Sequence, residues 1–152
     1  MYKKILLPTD GSEHAKKAGE HAIMIANAGL AGLAGLVVLS VVDAGYLDAL
    51  TEEDLKQKLD NSLKKEGKEA VENFSAQLME SKCHGVCQQN VKLTTEIKEG
   101  NPADVILKTI EEDDIDLVVI GSSGKHALTK FVYGSVTDKV VRSAKCPVLV
   151  IK

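Results

Sequence analysis

The sequence predicts a three-layer α/β sandwich: a five-stranded parallel sheet of order 3-2-1-4-5 with helices on both faces. Three observations lead there. Short runs at 3–7, 36–42, 116–120 and 148–151, apolar apart from Lys3, Lys4, Ser40 and Asp116, have the length and the Val/Ile/Leu content of strands buried on both faces. Segments of helical length, with apolar residues three and four apart, separate most of these runs. Strands and helices that alternate in this way close as right-handed parallel crossovers, giving a Rossmann-like sheet whose crevice opens where the winding reverses.

The first strand is predicted over 3–7 and the first helix over 12–28, where Ala15, Ala18, Ala22, Ile25 and Ala26 form one stripe. The small alanines permit close packing on a sheet. The second strand, 36–42, is apolar apart from Ser40. Before it, Gly29-Leu-Ala-Gly-Leu-Ala-Gly35 lacks the order and the strand-turn-helix context of a dinucleotide fingerprint and is read as a loose helix end and loop.

A long charged helix is predicted over 51–81, capped by Thr51-Glu-Glu-Asp54, with Leu55, Leu59, Ser62 or Leu63, Glu66, Ala70, Phe74 and Leu78 tracking one face. Val91, Leu93, Thr95 and Ile97 alternate inward, as suits a strand near the sheet edge. Asn101 caps the next helix, Pro102 takes its first position, and Val105, Ile106 and Ile110 pack inward up to Glu112. The last helix is predicted over 135–142, with Ser135 as cap and Asp138 as its capping-box partner. The final strand forms an apolar sheet edge, so a homodimer is expected through antiparallel pairing of 147–151 with a second copy.

Composition bounds the partners. The chain has 152 residues, the size of one domain spanning 1–152, with 44% apolar and 27% charged residues. Aromatics make up 3%, Trp is absent and the formal net charge is −3, which argues against nucleic-acid binding. No apolar stretch reaches membrane-spanning length and the N-terminal apolar run stops at Pro8, so a cytoplasmic protein without membrane attachment is expected. Three cysteines suit a reducing compartment. Cys83-His84-Gly-Val-Cys87 lacks a convincing fourth metal ligand and reads better as a surface loop, or as a disulfide under oxidation. Cys146, just before Pro147, reads as a buried small hydrophobe.

Two motifs carry chemistry. Gly121-Ser-Ser-Gly124 follows a buried strand, and nine residues separate it from Gly134-Ser135 at a helix start. Glycines leave backbone N–H groups accessible to an anion, and a helix start adds free N–H groups and a positive dipole end. This pattern reads either as a two-part phosphate cradle or as a tight turn followed by an ordinary helix. Pro8-Thr9-Asp10-Gly11-Ser12 faces it across the predicted crevice. Asp10, with Glu13 three residues on, reads as a helix N-cap or as an acceptor for ribose hydroxyls. No Walker sequence occurs, and no residue pattern marks a hydrolytic base.

Along nearly its whole length the chain resembles the universal stress protein family. The resemblance is carried by Ile5-Leu-Leu-Pro-Thr-Asp-Gly-Ser12, Leu39-Ser-Val-Val-Asp43, Gly100-Asn-Pro-Ala103, Gly121-Ser-Ser-Gly124 with Gly134-Ser-Val136, and Cys146-Pro-Val-Leu-Val150. Within that family the Gly-x2-Gly-x9-Gly-Ser/Thr spacing marks ATP-binding members. The resemblance implies an adenine nucleotide alpha hydrolase-like fold and a nucleotide site of Pro8, Thr9, Asp10, Val41, Gly121, Ser122, Ser123, Gly124, Gly134, Ser135 and Val136. Asp10 would meet the ribose and the Val41 backbone the adenine, with Gly121, Ser122, Gly124, Gly134, Ser135 and Val136 around the phosphates.

Many relatives carry a basic residue where this chain has Ser123, so phosphate charge would fall to Lys125, His126 or Lys130, or to bound Mg2+ or Mn2+. The implied function is an ATP-binding regulatory switch in the stress response, with slow or no hydrolysis. In that reading ATP orders segment 125–133 against an unidentified protein partner. A ligand-free dimeric interaction module and an adenylate-transferring enzyme are the alternatives.

Overall fold

The computed structural model describes residues 2–28, 35–83, 91–124 and 133–152, apart from the side chains of 80–83. Five strands, β1 (Lys4–Pro8), β2 (Gly35–Asp43), β3 (Lys92–Gly100), β4 (Leu117–Gly121) and β5 (Val148–Ile151), form one sheet. Its order is β3-β2-β1-β4-β5 and every pairing is parallel, as the sequence predicts. Ile5 lies opposite Leu36 on one side and Leu117 on the other, which fixes the register of the central three strands.

Alternation along the strands splits the core into two layers. Ile5, Leu7, Leu36, Val38 and Val119 face α1 (Glu13–Ala28) and α3 (Glu53–Cys83), meeting Ala18, Ala22, Val71 and Phe74. Leu6, Val37, Leu39, Val118 and Ile120 face α4 (Pro102–Glu112) and α5 (Ser135–Ser143), meeting Ile106, Ile110 and Val140. The buried stretches of the central strands are therefore apolar on both faces, with Ser40 of β2 the polar exception, because a doubly covered sheet exposes neither face.

The helix ends depart from the sequence reading in three places. Ser12 caps α1, its hydroxyl accepting from Ala15 N at 3.2 Å, while Asp10 accepts from Ser12 N at 3.0 Å. Asp10 thus braces the cap and is not the cap itself. At α5 the cap is Gly134, with no side-chain bond, and Ser135 is the first helical residue. The expected capping box does not form, because the Asp138 carboxylate takes Arg142 Nε at 3.0 and 2.9 Å. At α3 the first helical bond runs from Lys56 N to Glu52 O at 3.0 Å, which leaves Thr51 outside the cap position. Asn101 caps α4 as predicted, accepting from Asp104 N.

Two faces also differ. The buried stripe of α3 runs through Gly67, Ala70, Val71, Phe74 and Leu78, with Leu63 half-buried, whereas Leu55 and Glu66 are exposed. The early turns of α3 carry no fully buried residue, Leu59 being half-buried, and Lys56 there pairs with Asp48 of the preceding short helix at 3.8 Å. Val91, just before β3, and Leu93 within it join the core as expected, but Thr95 and Ile97 are exposed, the latter at 44%. A short helix absent from the prediction, α2 (Ala44–Asp48), follows β2 directly, with Asp43 accepting from Gly45 N at 2.9 Å.

The two borders of the sheet differ in chemistry. β3 is charged, with Lys92, Glu96, Lys98 and Glu99 along it, while β5 is Val148, Leu149, Val150 and Ile151. Leu149 is 37% exposed, and Val141 on α5 is 43% exposed.

Candidate functional site

A cavity of about 370 Å³ opens at the carboxyl ends of β1, β2 and β4, the place where a doubly wound sheet binds ligands. Of the residues predicted from sequence, Pro8, Thr9, Asp10, Val41, Gly121, Ser123, Gly124, Gly134, Ser135 and Val136 line it. Ser122 is not among the lining residues. Its amide donates to Ile151 O at 2.7 Å and its carbonyl accepts from Gly134 N at 2.9 Å, so its backbone joins the two glycine segments. Lys125, His126 and Lys130 lie outside the described residues, as do segment 29–34, His84 and Cys87 and the side chain of Cys83.

The parallel register brings the two motifs together. A Cβ on Gly124 would lie 2.6 Å from Asp10 Oδ2, so the glycine leaves room for the carboxylate that faces it. A Cβ on Gly121 would lie 2.8 Å from the His14 carbonyl carbon and 3.0 Å from Ala15 N. Absence of a side chain there lets the first turn of α1 sit against the end of β4. Thr137 Oγ1 donates to Gly121 O at 2.8 Å and ties the start of α5 to the same strand end.

Polarity differs between the two ends of the cavity. At the β4 end stands the first turn of α5, whose first helical bond is from Asp138 N to Gly134 O at 2.9 Å. Ser135, Val136 and Thr137 therefore have no intrahelical acceptor for their N–H groups, and the positive dipole end of the helix faces the same space. Gly134 has no side chain to occupy those donors. At the β2 end the walls are largely apolar, with Leu39, Val41, Val42 and Ile106. Asp10 lies between the ends, held by its bond to Ser12 N.

Sequence reasoning missed one wall. Tyr46 of α2 and Leu63, Glu66 and Gly67 of α3 line the cavity opposite the glycine segments. A five-residue helix is too short to show periodicity, and the cavity side of α3 is a mixture of Leu, Glu and Gly with no motif. Asp43 carried a weak signal as a capping residue at a strand end.

Asp10, Asp43 and Glu66 line the cavity, and among its described lining residues there is no lysine, arginine or histidine. Among the described residues, positive potential there comes from backbone N–H groups and the helix dipole. Among the described residues no group of three or more His, Cys, Asp or Glu is placed to hold a metal ion. A divalent ion in this cavity would take most of its ligands from a bound anion and water, with Asp10 the carboxylate nearest the glycine segments. Away from the cavity, burial pushes the Cys146 thiol above its ordinary value, with the Asp116 charge adding to it.

The family model for the universal stress protein family matches residues 1–152. Universal stress protein MJ0531 of Methanocaldococcus jannaschii is 37% identical over 152 residues, covering 100% of this chain and 83% of its own length. The solved structure of the hypothetical protein MJ0577 superposes with a TM-score of 0.80 at 33% identity, over 100% of this chain and 96% of that one. Universal stress protein UspA from Lactobacillus plantarum gives 0.76 at 31% identity, over 99% and 98%. Two more distant structures share the fold. One is a universal stress protein in complex with cAMP, at 20% identity and TM-score 0.64, over 99% of this chain and 96% of that one. The other is a family protein from Arabidopsis thaliana with AMP bound, at 21% identity and TM-score 0.58, over 99% and 91%. With a match along its whole length and a cavity at the sheet's reversal point, the chain belongs to the universal stress protein family.

Proposed function

We propose that this protein binds ATP together with Mg2+ or Mn2+ and acts as a nucleotide-dependent regulatory switch in the cytoplasm, with slow or no hydrolysis. The observation that carries the reading is the approach of Asp10 to Gly124 beside the first turn of α5: a carboxylate, a bare glycine and a helix start converge on one cavity. The cavity volume lies within the range of small-molecule sites. The cAMP and AMP held by the two distant family members support an adenine nucleotide as the ligand class.

In this reading Asp10 accepts from the ribose hydroxyls, the Val41 backbone meets the adenine edge, and the α5 amides with the Gly121–Gly124 segment hold the phosphates. The metal supplies charge neutralisation at the phosphate oxygens, shared with Lys125, His126 or Lys130. Backbone donors of this kind contact ground state and transition state alike, which favours binding over turnover. Segment 125–133 joins the two halves of the cradle, so its ordering by ATP is the proposed signal to a protein partner.

Nucleotide released from purified protein by denaturation and identified by mass spectrometry, together with calorimetry in ATP and Mg2+, tests the proposal. One mole of adenine nucleotide per mole of chain is expected. A nucleotide-free preparation that gives no heat with millimolar ATP overturns the reading. Hydrogen exchange tests the switch: segment 125–133 gains protection at saturating ATP, and unchanged exchange rejects it.

A further inference from the structure

Ser123 lines the cavity where the glycine segments meet, and its hydroxyl lies 3.1 Å from His14 Nδ1 at the start of α1. The His14 backbone lies against Gly121, where a Cβ would come within 2.8 Å of the His14 carbonyl carbon. The described lining holds no cationic side chain, so this imidazole stands one hydrogen bond behind a surface that has to attract an anion.

A hydroxyl has one proton to donate. When Nδ1 accepts, that proton is spent on the ring and the oxygen offers only lone pairs elsewhere. When Nδ1 carries hydrogen, the hydroxyl accepts from the ring and its own proton is free for a phosphate oxygen. The imidazolium always carries that hydrogen and adds a positive charge.

We infer that His14 is a positioning residue for phosphate binding: it sets the donor state of the Ser123 hydroxyl, and its protonation strengthens the hold on the phosphates. The inference rests on the nucleotide reading above and assigns a proton-dependent role to a residue outside the glycine motif. Charged neighbours on α1 are Glu13, Lys16 and Lys17; the Glu13 carboxylate is held below its usual range by Lys16 first, with smaller contributions from Lys17 and His14. From the end of β1 comes Asp10. Gly121 and Ser123 bring no charge from the β4 side, and β5 meets α1 with Ile151. Lys125 and His126 follow Ser123 outside the described residues.

The test is calorimetry of ATP with Mg2+ from pH 8 to pH 6 on the wild type and on Ser123→Ala and His14→Asn, with adenosine as the control ligand. An asparagine amide donates toward Ser123 without titrating, so it separates positioning from protonation. Wild-type affinity for ATP is expected to rise about three- to ten-fold as pH falls, with adenosine unchanged. Ser123→Ala loses about ten-fold for ATP, the scale of one hydrogen bond to a charged group. His14→Asn keeps most of the affinity and loses the pH slope.

If wild type and His14→Asn share one pH slope, or Ser123→Ala binds ATP like the wild type, the inference is overturned while nucleotide binding stands. A wild type that binds no ATP overturns both.

Discussion

Asp10 and Gly124 come from opposite ends of the chain and meet in one cavity, so a single methyl group at Gly124 tests their pairing. Its Cβ would fall 2.6 Å from Asp10 Oδ2, so the carboxylate that also accepts from Ser12 N has to turn aside. Gly124→Ala is expected to cost about 1 kcal/mol in unfolding stability, the scale of that one hydrogen bond. Its ATP affinity falls at least about ten-fold, because the displaced group is the proposed ribose acceptor. Calorimetry beside a thermal melt separates the two effects. Cys146 gives a second residue-level test. Burial, and then the Asp116 charge, raise its folded value above the ordinary 9.0, so the folded state keeps the proton that the unfolded state releases. Its contribution to stability is full below about pH 9 and is lost as pH rises through the raised value. Mapped iodoacetamide labelling at pH 8 is expected to be slower at Cys146 in native protein than in urea. That Asp10, Gly121 and Gly124 gather at one cavity was legible from a carboxylate and bare glycines placed at the ends of predicted strands. The identity of the α1 cap was not, since Asp10 and Ser12 both suit the role and only the backbone path decides between them.

Elements were legible where periodicity or a cap was unambiguous. Asn101-Pro102 at α4 and the apolar strands β2, β4 and β5 fall where the pattern puts them. α2 escaped because a single turn cannot display a 3.6-residue repeat, and the early turns of α3 misled because amphipathic sequence does not require something to pack against. The start of α5 was misread because Ser-x-x-Asp fits a capping box, whereas the arginine four residues beyond Asp138 captures the carboxylate. What anchors α5 is the buried bond from Thr137 Oγ1 to Gly121 O. Thr137→Val keeps the shape and leaves that carbonyl without the hydroxyl. A loss of about 1–2 kcal/mol in urea unfolding is expected, with weaker ATP binding as the helix start loosens. Stability equal to wild type would show that the carbonyl finds another partner.

At the scale of the whole molecule, the parallel sheet with helices on both faces followed from the alternation of elements and the right-handed crossover rule, and its strand order from placing the crevice where the winding reverses. The wall made by α2 and α3 did not follow, because it depends on how far a long helix extends past the sheet. The homodimer proposed through 147–151 is tested at this scale. Leu149, exposed on the outermost strand, would lie within such a contact. Leu149→Asp is expected to shift the mass seen by light scattering from two chains to one, with the fold retained by circular dichroism. A wild type that stays at one chain at micromolar concentration rejects the pairing. The contrast between the charged β3 and the aliphatic β5 has a consequence for growth. If β5 pairs as proposed, each copy spends its one aliphatic margin on a single neighbour and keeps its charged margin outward, which leaves no sticky side to extend a fibre.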